Sequence, residues 1–389
     1  MLKAISNSHI LSSSGLSSSV QKRFFDQARI PFAIELWNSH FYCFGKGEPL
    51  FKLIVNDIRG LAALNQLDEC KLSEAYIDGS LDITGDMLQA LSMRYLLTDR
   101  YLWYRLWRHV VPIILGQIRS DRQAISQHYD DLGNEFYLTF LGKTRCYSQA
   151  VFERDNETLE TAQCRKLNFA IEACGLKSGD RVLDVGAGWG AFTEHAGRQG
   201  IRVTSLTISQ ESMQFLTALI EQLKLPCEAI NQHFLEHESG ECYDAIVIIG
   251  VMEHLPNYPA VLRQCQRLLK PGGRVYLDAS ASRQKYQLPS FISRYIFRRN
   301  HSCFCLHDFL KGVAKTPFEL QAIYNDRHSY FLTCKAWAEN LEDARDEIIH
   351  RWGEARYRMF RLYLWGSAHS FLLKYLDAYR LILELPQTA

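Results

Sequence analysis

Between residues 173 and 280 the chain alternates short apolar runs with amphipathic ones, and this rhythm limits the fold more than any other feature. "DRVLDVGAG", "IRVTSLTIS", "CEAINQHF", "YDAIVIIGV" and "RVYLDAS" read as strands, while "AFTEHAGRQG", "QESMQFLTALIEQLKL" and "YPAVLRQCQRLLKPGG" between them read as helices. Repeated strand–helix units bury a sheet on both faces, so the pattern predicts a doubly wound, mostly parallel α/β sheet.

The flanks read differently. Residues 1–25 are serine-rich, with few acids and a late Lys22-Arg23 pair, and suit a flexible or transit-like leader. Residues 26–118 suggest a small α+β domain with a lipid-binding character. There "PFAIELWNSHFYCFG" and "PLFKLIVND" read as strands, "LAALNQL" and "DMLQALSMRYLL" as helices, and "EAYIDGSLDITGD" carries two glycine turns. Its end interleaves aromatic residues with Arg94, Arg100, Arg105, Arg108 and His109. That stretch reads either as a core helix with snorkelling arginines or as a helix lying on a lipid surface. Residues 119–389 form the expected catalytic unit, with everything beyond about Pro289 read as helical and aromatic-rich.

Composition removes some classes of function. The net charge is +1, so no overall field draws the chain to nucleic acid. The 11 scattered cysteines suit reduced thiols in a cytoplasmic protein. Cys303, Cys305, His301 and His307 are spaced more tightly than structural zinc ligands, so no metal is expected. No apolar run reaches the roughly 18 residues of a membrane span.

The loop "VLDVGAGWGAF" at 182–192 raises the question of a cofactor. A dinucleotide fingerprint has Gly-x-Gly-x-x-Gly and an acid about 20 residues on. Here the third glycine comes one position early, at Gly190, and the next strand ends in Thr207, Ile208 and Ser209 without an acid. Asp184 beside the loop would repel a pyrophosphate yet accept a hydrogen bond from an amino group. S-adenosylmethionine (SAM), which carries an amino group and a positive sulfonium, meets these conditions.

Taken with "YDAIVIIGVMEHLPNY", "LLKPGGRVYL", "QHYDDLGNEFY", "CYSQAVF", "ETLETAQCRKL", "RYIF", "SYFLTCKAW" and "RYRMFRLYL", the loop resembles the cyclopropane fatty acid synthase family from about Ser126 onward. The resemblance implies a Rossmann-like class I SAM-dependent methyltransferase with helical insertions. Its implied cofactor shell is Tyr129, Tyr147, Ser148, Asp184, Gly186, Gly188, Thr207, Ser209 and Gln232. Ser212 and His233 stand where the family usually has Gln and Asp.

The family methylates the double bond of an unsaturated acyl chain and removes a proton through bound bicarbonate. Glu253 and Tyr330 match its bicarbonate-holding Glu and Tyr. Gln149 and Asp278 stand where Cys and His are usual. A second carboxylate near Glu253 would repel an anion and raise one pKa, so bicarbonate is expected to bind poorly. Glu253 or Asp278 would then take the proton, with His254 beside the substrate. Tyr295, Phe297, Tyr330, Phe360 and Tyr363 are candidates for an acyl tunnel or a cation–π wall. Arg298 and Arg299 are candidates for a phospholipid headgroup. The expected partners are an unsaturated acyl lipid, a peripheral membrane surface and a second copy of the chain. Methyl or methylene branching without ring closure, and N-methylation of a small amine held by Asp278 and Glu253, stand as alternatives.

Overall fold

The computed structural model describes residues 15–99, 132–286, 288–297 and 301–387. They divide into two compact units. One takes in the described residues up to 99 with Ile349–Gly366; the other takes in those from 132 to Ile348 with Ser367–Ala389.

The first unit holds β1 (Phe32–Leu36), β2 (Phe41–Phe44), β3 (Phe51–Val55) and β4 (Leu81–Gly85), in the order β2-β1-β3-β4. The expected strands and the helix over "LAALNQL" are present, the latter as Ile58–Gln66. Three expectations are corrected. The leader ends sooner than residue 25, because Ser18–Gln27 is a helix capped by Ser17, and its buried Phe24 packs edge-on against Phe32 and Phe44 at 5.5 and 5.3 Å. Glu69–Ile77, read as part of a turn-rich stretch, is a helix whose N-cap Asp68 accepts from Lys71 N–H. The unit is also discontinuous: Arg358 donates to the carbonyl of Tyr76 at 3.0 Å and pairs with Asp82, binding a distant helix to it. Arg100, Arg105, Arg108 and His109 lie outside the described residues, whereas Arg94 pairs with Glu69 at 3.1 Å.

The second unit is the expected α/β sheet. Its strands are β5 (Arg181–Val185), β6 (Arg202–Thr207), β7 (Glu228–Asn231), β8 (Tyr243–Ile249), β9 (Leu269–Ala281), β10 (Glu319–Asn325) and β11 (Asp377–Glu384), in the order β10-β11-β9-β8-β5-β6-β7. β5 pairs in parallel with both β6 and β8, so the winding reverses beside β5, where such sheets bind ligands. Alternate residues serve opposite faces. Leu183, Ile246 and Ile248 join the core under the helix Tyr258–Leu268, while Val182, Ala245 and Val247 join the core under Leu159–Ala173. The C-terminal part is not wholly helical as expected. β11 runs antiparallel to β9, and β10 antiparallel to β11. "ELQAIYN" was unreadable as a strand because it is an edge, exposed on both faces.

Candidate active site

β5 carries the buried Asp184 and breaks at Gly186, whose φ of +71° is left-handed. A Cβ there would meet Val251 Cγ2 at 2.4 Å, so only glycine lets the loop pass this close to the end of β8. β6 ends at Thr207, and Ser209 caps the helix Gln210–Leu223 by accepting from Ser212 N–H at 3.1 Å. These turns, with the ends of β7 and β8, surround an open cleft of about 1060 Å³ measured to its solvent mouth.

Tyr147, Asp184, Gly186, Gly188, Thr207, Ser209 and Gln232 all line this cleft, together with Ser212, His233 and His254. Tyr129 lies outside the described residues. Ser148 departs from expectation. It is buried behind the wall, and its hydroxyl takes a hydrogen bond from Lys166. The side chain of Gln232 is engaged locally, donating to the carbonyl of Glu236 at 3.1 Å and meeting His237 Nδ1 at 2.9 Å. Leu235 N–H donates to His233 Nδ1 at 3.1 Å, so a neutral His233 carries its proton on Nε2 and acts as a donor where the family's acid would accept. Trp189 was missed by the sequence reading. Its ring lies on the wall 6.2 Å from that of Tyr147, and its Nε1–H donates to Asn134 at 2.7 Å. A tryptophan inside a glycine loop was the available signal.

The lining fits SAM better than a pyrophosphate. Asp184 is the one carboxylate among the described lining residues, and Arg145, the cation on that wall, is held by Glu194. Burial pushes the Asp184 carboxyl up to about 7, against a hydrogen bond of 3.0 Å from Thr193 Oγ1. A cationic amino group placed against it would restore the ionised form. The glycine backbone and the Tyr147 and Trp189 rings offer the remaining contacts.

Gly250 joins this cleft to a deeper polar cluster. It lines the cleft, and its N–H donates to Asp278 Oδ1 at 2.9 Å. Asp278 and Lys166 are both 0% exposed, with Lys166 Nζ 3.4 Å from Asp278 Oδ2. Lys166 also donates to Cys146 Sγ at 3.1 Å, and Tyr276 donates to Asp278 Oδ2 at 3.3 Å. Burial alone would lower the pKa of Lys166, but Asp278 and Cys146 outweigh it and hold the ammonium above its usual value. Burial raises Asp278, and Lys166 draws it part of the way back. Asp278 is therefore not the bare second carboxylate expected from the sequence, because Lys166 pairs with it, although its charge still adds to the raised pKa of Glu253. The sequence reading passed over Lys166 because "CRKL" looks like a solvated charge pair. Helical spacing was the signal, since Lys166 falls on the buried stripe with Ala162, Gln163 and Ala170.

Glu253 sits on the short turn Met252–His254. Its Oε1 accepts from Ser280 N–H at 2.6 Å and Ser280 Oγ at 2.8 Å, while Oε2 is buried with no hydrogen-bond partner among the described residues. Burial pushes its pKa up to about 7. The Tyr330 phenol is raised well above its usual value, first by burial, with Cys334, Glu253, Asp278 and Tyr147 adding to it. Glu253, Asp278 and Tyr330 are thus brought together. Gln149 is buried, its Nε2 donating to the Tyr379 carbonyl at 3.3 Å and its Oε1 unpartnered among the described residues. His254 lies 6.2 Å from Phe297 and 5.0 Å from His301, ring to ring. Tyr295 stacks obliquely on Phe291 at 5.8 Å, whereas Phe360 and Tyr363 belong to the first unit. Arg298 and Arg299 lie outside the described residues. Of the four residues weighed as zinc ligands, only Cys305 and His307 cluster, with Asp308, within 4.8 Å. Lys285 stands within electrostatic reach of both Cys305 and Asp308, which opposes a cation there.

Comparison with known proteins agrees with this geometry. The family profile described as mycolic acid cyclopropane synthetase matches residues 117–381, and a domain of unknown function matches residues 19–102. A probable fatty acid methyltransferase of Pseudomonas putida is 25% identical, over 92% of each chain. One from Mycobacterium tuberculosis is 30% identical over 68% of this chain. The sphingolipid C9-methyltransferase of Candida albicans is 27% identical over 81% of this chain. This chain spans 63% of the mycobacterial protein and 67% of the Candida protein. The crystal structure of mycolic acid cyclopropane synthase CmaA1 with S-adenosylhomocysteine superposes with a TM-score of 0.63 at 26% identity, over 68% of this chain and 98% of that one. The chain belongs to the mycolic acid cyclopropane synthetase family, and its α/β unit is that of a SAM-dependent methyltransferase.

Proposed function

We propose that this protein transfers the methyl group of SAM to a double-bond carbon of an unsaturated fatty acyl chain carried by a membrane lipid. The observation that carries the reading is Glu253 Oε2, a buried acceptor without a partner among the described residues, in a cluster walled by aromatic rings. SAM supplies an electrophilic methyl group when bound. Methylation of an alkene leaves a positive charge on the acyl chain, and the faces of Tyr147, Tyr330 and Trp337 suit such a charge. Glu253 Oε2 then accepts the proton that the methylated chain must lose, and the neutral acid that forms matches the raised pKa of this group. Whether that proton leaves the new methyl or a neighbouring carbon decides between a cyclopropane and a branched product.

In this reading Asp278 is a positioning residue. Its carboxylate holds Gly250 N–H and is neutralised by Lys166. The same fact weakens N-methylation of a small amine, since a cationic substrate would find Glu253 alone and not two carboxylates. The names of the fatty acid and sphingolipid relatives support a lipid acceptor. A lipid-contact role for the first unit is supported by its exposed Phe25, Trp37 and Phe41. Labelled SAM with oleoyl phospholipid and with small amines tests the reading: label enters lipid if it is right and amines alone if it is wrong. Because Glu253 takes the proton itself, added bicarbonate should leave the rate unchanged.

A further inference from the structure

The helix Glu354–Leu372 ends in a tight cap. Tyr375 N–H donates to the Ser370 carbonyl at 2.9 Å, and Lys374 N–H donates to that of Phe371 at 3.2 Å. This is the double-bonded C-terminal motif in which glycine usually takes the left-handed position. Here Lys374 takes it, with φ +65°. The accompanying contact is a ring pair: Tyr375 lies 6.2 Å from His369, centroid to centroid. Tyr375 nevertheless stays 56% exposed. Leu372 and Leu373 beside it are 42% and 44% exposed. Local stability thus does not select the lysine, and it leaves the two leucines on display. Lys374 is exposed with no ion pair among the described residues, and the nearest acid along the chain, Asp377, is taken by Arg327 at 2.7 Å.

The location of the cap gives these residues a use. Asp377 at the start of β11 pairs with Ala281 at the end of β9, so the turn stands at the end of the sheet where β9 and its parallel neighbour β8 finish. Phe371, immediately before it, is buried and stacks on Tyr330 at 4.4 Å and 19°. We infer that the turn 372–375 is a membrane-docking tip, inserting Leu372, Leu373 and Tyr375 among the acyl chains of an anionic bilayer with Lys374 at the phosphates. Leucines beneath a tyrosine and a lysine are the chemistry of such an interface. The tip rests on the lipid-acceptor reading above, and it brings the bilayer to a turn whose buried neighbour Phe371 stacks on Tyr330.

The test uses the full chain and vesicles of dioleoylphosphatidylglycerol or dioleoylphosphatidylcholine. The double variant Leu372→Ser/Leu373→Ser should lower partitioning to the anionic vesicles at least about tenfold, two buried leucines being the dominant apolar contribution. Lys374→Glu should weaken binding to the phosphatidylglycerol vesicles and leave the weaker phosphatidylcholine binding as it was. Methyl transfer to vesicle lipid should fall in step, while transfer to the same lipid dispersed in detergent stays at the wild-type rate. Wild-type partitioning in the double variant overturns the docking tip, and so does a wild-type protein that binds neither vesicle. Loss of self-association in sedimentation, with vesicle binding intact, assigns the tip to a second copy and overturns it too. A protein that binds vesicles through this turn but methylates no lipid leaves the tip standing and defeats the acceptor reading instead.

Discussion

Lys166 Nζ lies 3.4 Å from Asp278 Oδ2, and neither side chain reaches solvent. One buried ammonium thereby ties Cys146 and Ser148, which flank Tyr147 of the cleft wall, to the carboxylate that holds Gly250. The pair is a joint between the cofactor shell and the reacting groups.

Removing one partner should cost far more than removing both. Lys166→Met leaves Asp278 buried without a counter-charge, and about 3–5 kcal/mol of stability is expected to go. The double variant Lys166→Met/Asp278→Leu should recover most of that loss. Urea denaturation of the three proteins measures it; equal stability of the two variants would show that the charges do not act as a pair.

Glu253 should govern the pH dependence of the rate. Its pKa is pushed up to about 7 by burial, and the base must be ionised to accept a proton. kcat/KM is therefore expected to fall about tenfold per pH unit below about 7 and to level above it. Glu253→Gln should lower kcat by at least about a hundredfold with SAM affinity retained.

Stability should run the other way with pH. Glu253 and Asp184 both titrate near 7 when folded, against ordinary values of 4.5 and 3.8, so the folded state binds the extra protons. Their contribution is complete below the ordinary carboxylate range and is lost as pH rises through about 7. At pH 8, Glu253→Gln is expected to be more stable than wild type by up to about 3 kcal/mol, since each tenfold difference in proton affinity between the folded and unfolded chain is worth roughly 1.4 kcal/mol. Thermal or urea midpoints at pH 5 and pH 8 check the sign.

Asp184 links SAM to protons. An amino group against the buried carboxylate favours its ionised form, so SAM binding should release protons below about pH 7, and its affinity should tighten as pH rises towards 7 and level above it. Titration calorimetry in buffers of different ionisation enthalpy reads the release. Asp184→Asn should weaken SAM about tenfold or more and remove most of the release.

The glycine loop makes a sharper structural demand. Gly186→Ala puts a Cβ 2.4 Å from Val251 Cγ2 at a φ of +71°. The strained backbone alone is expected to cost about 1–3 kcal/mol, with SAM affinity falling as Val251 shifts into the cleft.

Much of this was legible beforehand because it rests on period and on glycine. The alternation between residues 173 and 280 carried the parallel sheet, and the loop after Asp184 carried the cofactor. What stayed hidden depends on tertiary contact. Lys166 looks like surface charge until its helix is laid against β9, where Asp278 waits for it. β10 has no alternation to read because an edge strand buries neither face. Helix Ser18–Gln27 passed for a leader because Val20 and Phe24 are the only buried residues in a polar, serine-led stretch.

The central claim is that the methyl group goes to an acyl double bond. The direct measurement is mass spectrometry of lipid products after incubating the purified protein with labelled SAM and dioleoylphosphatidylglycerol. A single labelled carbon added to the oleoyl chain at its double bond, absent from saturated lipid and lost in Glu253→Gln, is the expected result. Label confined to a headgroup nitrogen or to added amines would contradict the account.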